Sequence, residues 1–223
     1  MASMPVVSET SLSIAAAQQQ RVADHGSHRH AYCTALASAT GPSAARNLSD
    51  AVHLLCTVHG KFPGLADLAL GAASAGPVRE WLRAAADGFE RERLYLVRLT
   101  SAVGPLPSTP GAAQSESALV ALRHAIETLA KSERRGCALG AATAMIHDWK
   151  AIRPILDRAA ERSGIERPDV TLPDDTSVAA VIEVGTDGLA SERALAFGSE
   201  QMLLQHRALF DLLEARAEAR DRF

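Results

Sequence analysis

Residues 77–103 read PVREWLRAAADGFERERLYLVRLTSAV. Val78, Trp81, Leu82, Ala85, Phe89, Leu96, Leu99 and Val103 recur there at three- and four-residue intervals, the spacing that lays side chains along one face of an α-helix. Pro77 stands where a first-turn proline belongs: its fixed φ suits a helix start, and its missing N–H would have no partner there. The stretch predicts a long amphipathic helix, and the same period recurs on both sides of it.

Upstream, Leu12–Ala37 reads as helical with an interruption at Asp24–His28, and Gly41-Pro42 ends it. A helix follows from Ala44 to His59, stopped by Gly60 and Pro63, then a short one over Leu65–Ala73. Downstream, residues 104–114 form a Pro/Gly-rich linker that cannot continue a helix. The next helix opens at Ser115 or Ser117, carries Leu119, Leu122, Ile126, Leu129, Gly136, Gly140 and Thr143 on its stripe, and reaches about Asp148. It bends before Pro154 and continues through Ala159 to Ser163-Gly164. Ser177–Val184 makes a short helix capped by Asp175 or Thr176. The last helix runs from Leu189 to Arg220. Residues 1–9 lack periodicity and read as a tail, and 10–223 as a single domain. No strand-like alternation is convincing. The expectation is an all-α fold, a single helical bundle of about six or seven helices, four or five of them long.

Composition narrows the function classes. Hydrophobic residues make up 47% of the 223, enough for a sizeable core, while aromatics are only 4%. Alanine fills much of that share, so the helices should approach closely. The net charge is −3 and acids alternate with the arginines. That is a solvated helix face rather than a basic stripe, and it argues against nucleic acid as a partner. Cys33, Cys56 and Cys137 are odd in number and far apart, which fits free thiols in a reducing compartment. The longest uncharged apolar stretch, Gly136–Ile146, is far shorter than the roughly 20 residues of a membrane span. With no basic n-region and apolar h-region at the N-terminus, a cytoplasmic protein without membrane contact is expected. The run from Gly136 to Ala144 is built of small residues. Close helix packing is its default reading, a ligand cavity or a homodimer interface the functional ones.

The informative positions are charges where the period demands a hydrophobe. His59 continues the stripe of Leu48, Val52 and Leu55. Glu92 lies between Phe89 and Leu96. Glu133 falls between Leu129 and Gly136, His147 follows Gly140 and Thr143, and Glu200 sits between Ala196 and Leu203. His206, six residues beyond Glu200, falls on another face. Lone carboxylates in an apolar core are costly unless protons, basic side chains or a metal balance them. Arg153, Arg193 and Arg207 are available as plain ion-pair partners.

The layout of His59, Glu92, Glu133, His147 and Glu200 resembles the ferritin-like and haem-oxygenase-like bundles. That resemblance implies a metal site made by these five residues, with Glu92, Glu133 and His147 as acid–base groups. It implies iron or manganese as cofactor and oxidase or oxygenase chemistry on a small molecule. The chain departs from the ferritin-like Glu-x-x-His pattern, since Gly136 and Leu203 stand three residues after Glu133 and Glu200. The alternative is a non-catalytic bundle serving as a protein-interaction or dimerisation module, with the same residues in structural pairs.

Overall fold

The computed structural model describes residues 13–222, so the expected tail over 1–9 lies outside the described residues. Among them the secondary structure is helical throughout: α1 (Ile14–His25), α2 (Ala31–Ala37), α3 (Ala44–His59), α4 (Leu65–Ala72), α5 (Pro77–Ala102), α6 (Ala112–Ala130), α7 (Cys137–Ser163), α8 (Asp175–Gly185) and α9 (Leu189–Asp221), with a 3₁₀ turn at Ser27–Arg29. No helix of the described residues is long and apolar enough to cross a membrane.

The described residues thus form nine helices where about six or seven were expected, and two breaks make the difference. The interruption suspected near Asp24–His28 is a true end: Gly26 adopts an extended conformation and Ser27–Arg29 turns the chain. The second break was missed. Residues 131–136 leave the helical path, so α6 and α7 are separate rather than one helix running through Glu133. Gly136 enters α7 at φ 94°, a left-handed value that favours glycine. Apolar spacing persisted across the break, and periodicity alone hid it.

Helix α7 is the axis of the molecule. Every side chain from Leu139 to Trp149 is buried, and α2, α3, α5, α6, α8 and α9 all pack against it. A helix that is apolar on all sides is an interior helix, and the small, uncharged Gly136–Ile146 run is the sequence form of that rule. Pro154 lies within α7 on its exposed side and does not end it.

α9 lies parallel to α7 and almost touches its backbone. A Cβ on Gly140 would sit 2.0 Å from the Leu195 carbonyl oxygen, and one on Gly198 would sit 2.0 Å from that of Cys137. Ser199 Oγ lies across the gap within hydrogen-bond distance of Gly140 O (3.0 Å) and of Gln18 Oε1 (2.5 Å), and its one proton serves either, which draws α1 into the same contact. The small-residue run is therefore packed inside the chain, against α9.

Gly140→Ala is expected to overpack this contact and cost about 1–3 kcal/mol. Gly71→Ala, in α4 with no neighbour within 4 Å, should gain about 0.5–1 kcal/mol. Urea denaturation of the two variants measures the contrast; equal shifts would contradict the close approach.

Candidate functional site

Four helices bring polar side chains to one interior line. α7 supplies Asp148, Trp149 and Arg153, α9 supplies His206, α3 supplies His59 and α5 supplies Glu92. All six are buried. Asp148 accepts from the Ser27 N–H (2.6 Å) and the Ser27 hydroxyl (2.6 Å), and from Nδ1 of His206 (2.6 Å). His206 Nε2 then meets His59 Nε2 at 3.2 Å. The His59 ring stands edge-on to Trp149 and to Phe89. Trp149 Nε1 donates to Glu92 (3.0 Å), and Arg153 donates to the other oxygen of Glu92 (2.6 Å) and to Pro168 O (2.6 Å). Arg153 also lies over the Tyr95 ring, 4.6 Å from its centroid.

Burial, and the imidazole of His206 next to it, hold His59 well below the ordinary histidine value, so His59 is neutral at neutral pH. Burial opposes the charge of Asp148, but hydrogen bonds from His206 and Ser27 outweigh it and keep this carboxyl below its usual range. Burial pushes Glu92 up, and the Trp149 indole and Arg153 offset that only in part. The line is a set of hydrogen-bonded pairs: Asp148 with His206, Glu92 with Arg153.

Of the five residues that the sequence singles out, the structure brings His59 and Glu92 into this line. His147 is buried one side-chain step away and faces outward, 2.9 Å from Asp175 but without a well-aligned hydrogen bond. Glu133 is exposed in the α6–α7 loop, and Glu200 is exposed on α9. The five-ligand centre is not assembled. On α7 and α9 the inward groups are instead Asp148 and His206. Small stripe residues were the cause: Ala196 is only half-buried and Leu189 is 61% exposed, so the α9 stripe drawn through them pointed to the wrong arc. The cue missed was Gly198, which marks the face against α7 and carries Met202, His206 and Leu209 with it. Among the described residues, no three or more His, Cys, Asp or Glu side chains are grouped as a metal site would need.

A second buried cluster was also missed. Asp50 on α3 takes Arg216 through both oxygens (2.7–3.1 Å) and Arg220 (2.5 Å). Arg220 also reaches Thr109, and His53 and Ser49 hold the carbonyls of Gly104 and Pro105. The Pro/Gly linker is thereby fastened to the bundle.

At the surface, a groove of about 610 Å³ opens between the α4–α5 turn, the α6–α7 loop and the end of α8. Its wall includes the starts of two long helices, α5 at Gly76-Pro77 and α7 at Gly136, and neither has a side-chain cap. Lys131, Arg134 and Arg135 line it with a single acid, Glu133. Arg135 is engaged by Asp187 (2.5 Å), and Arg134 lies over the Phe197 ring.

Fold and site together define an all-α protein with a central buried helix, an interior acid–imidazole line and a cationic groove at one end. The chain belongs to DUF6975, a family of unknown function, whose pattern matches residues 22–221. No curated protein and no solved structure matches it.

Arg153→Met leaves the Glu92 carboxylate uncompensated and should cost about 3–5 kcal/mol. Adding Glu92→Met should restore most of that loss. Denaturation of the single and double variants tests the coupling; simple additivity would contradict it. Asp148 has a folded pKa below its ordinary 3.8. Its contribution is therefore complete above that value and is lost as pH falls through the folded value. The gap in melting temperature between the wild type and Asp148→Asn should be constant near neutrality and narrow below about pH 4. A gap that widens toward acid would reverse the assignment.

Proposed function

We propose that this protein binds a small negatively charged molecule in the groove between the α4–α5 turn, the α6–α7 loop and α8. One observation carries the reading: two long helices begin without side-chain caps in the wall of one cavity that also presents Lys131 and Arg134. The first turns of a helix carry backbone N–H groups with no intrahelical partner, and the aligned peptide dipoles favour negative charge there. A volume of about 610 Å³ lies within the usual range of small-molecule sites. Ala69, Leu82, Ala138, Leu139 and Val184 supply an apolar floor. The ligand is thus an organic anion, a phosphate or carboxylate carried on a body that covers these side chains.

This reading replaces interior iron or manganese oxidase chemistry as the best account of the molecule. The carboxylates expected to carry that chemistry are divided between the core (Glu92) and the surface (Glu133, Glu200).

Thermal-shift and calorimetric titration with orthophosphate, pyrophosphate, citrate and a nucleoside monophosphate provide the test. At least one organic anion should stabilise the protein, with affinity that falls as salt rises. The double variant Lys131→Glu/Arg134→Glu should weaken it tenfold or more and leave the melting temperature of the free protein close to wild type. Failure of every anion, or equal binding by the charge-reversed variant, would overturn the proposal.

A further inference from the structure

Arg134 and Arg135 line the groove and also a second cavity of about 360 Å³, whose other wall is the start of α9 with Arg193 and Phe197. We propose that the groove's ligand is an organic oligophosphate: its body and first phosphate lie in the groove, and its further phosphates cross Arg134 and Arg135 to reach Arg193 in the second cavity. This rests on the anion reading of the groove and names the class of anion.

Gly136 brings the two openings together. A Cβ there would lie 2.4 Å from the Ser191 carbonyl oxygen and 3.2 Å from the Leu195 backbone nitrogen. The end of the α6–α7 loop therefore rests directly on the first turns of α9, and the two arginines before Gly136 border both cavities. The α9 wall of the second cavity, from Ala190 to Phe197, extends about 10 Å at 1.5 Å per residue. It includes a third long-helix start without a side-chain cap, behind Gly188.

Charge selects the ligand. The second cavity is lined by three arginines and no acid. Asp187 engages one of them, Arg135 (2.5 Å), which leaves Arg134 and Arg193. The Arg134 guanidinium lies 5.7 Å from the centroid of the Phe197 ring, which is 42% exposed. A guanidinium seated on an aromatic face keeps its in-plane N–H groups free, and their fork matches two oxygens of a phosphate. Arg193 precedes Phe197 by four residues and shares its helix face. Lys131, Arg134, Arg135 and Arg193 thus form a row of cations leading from the groove into the second cavity. A single carboxylate or phosphate meets only part of that row. A chain of phosphates meets all of it and relieves the repulsion among the cations.

The test is calorimetric titration of the full-length protein, without divalent cations, with orthophosphate, tripolyphosphate, adenosine monophosphate and adenosine triphosphate. The wild type should bind each triphosphate about tenfold or more tightly than the matching monophosphate. Arg193→Gln should cut this advantage to about threefold or less, and leave monophosphate binding and the melting temperature unchanged. Arg162→Gln removes the same charge at the opposite end of α7 and should retain the advantage. Equal affinity for mono- and triphosphates, an advantage that survives Arg193→Gln, or one lost equally in Arg162→Gln would overturn the proposal and leave anion binding in the groove standing. Unaltered monophosphate binding by Lys131→Glu/Arg134→Glu, or no binding of any anion, would overturn both.

Discussion

The near-contact of the α7 and α9 backbones is the constraint on which the interior depends. Gly140 and Gly198 remove the two Cβ atoms that would otherwise hold the helices apart, since each would collide with a carbonyl oxygen of the facing helix. Asp148 lies eight residues after Gly140 and His206 eight after Gly198. At 1.5 Å per residue, both side chains stand about 12 Å along parallel helices from the point of closest approach. They arrive together and form the 2.6 Å pair. The glycines set both the distance between the helices and the register that aligns the acid with the imidazole.

Neutralisation by pairs explains how a core with few aromatics tolerates so many ionisable groups. Each buried carboxylate of the two clusters has a partner on another element: Asp148 with His206, Glu92 with Arg153, and Asp50 with Arg216 and Arg220. Removing one member of such a pair is far more damaging than replacing both, because the survivor keeps its desolvation penalty. The pairs also join elements remote in sequence. Asp50 and Arg220 bind α3, the C-terminal end of α9 and the 104–111 linker into one unit. A linker that composition marks as a breaker becomes fixed chiefly by side chains of α3 and α9.

The molecule separates its polar features by depth. The interior line is buried and closely packed. The groove is open and broad, and its cationic character comes from loop side chains and helix starts rather than from the core. The same break at residues 131–136 accounts for both: it frees Lys131, Arg134 and Arg135 to face solvent and lets α7 begin afresh as the buried axis.

Sequence alone determined the class of the fold and most of its helices, because a 3.6-residue period, proline and glycine stops and first-turn caps act over a few residues. Ala44–His59 and the Pro77 helix were legible in this way, as were the burial of His59 and Glu92 and the availability of Arg153 as a counter-charge. Tertiary structure decided which side of each long helix faces inward. On α9 the alanines left the stripe free to rotate, so Glu200 and His206 exchanged places between core and surface. On α7, buried all round, both His147 and Asp148 were compatible with the period, and only the neighbours determined which one turned toward α9. Periodicity specifies an arc of a helix; the helices packed against it specify the residue within that arc.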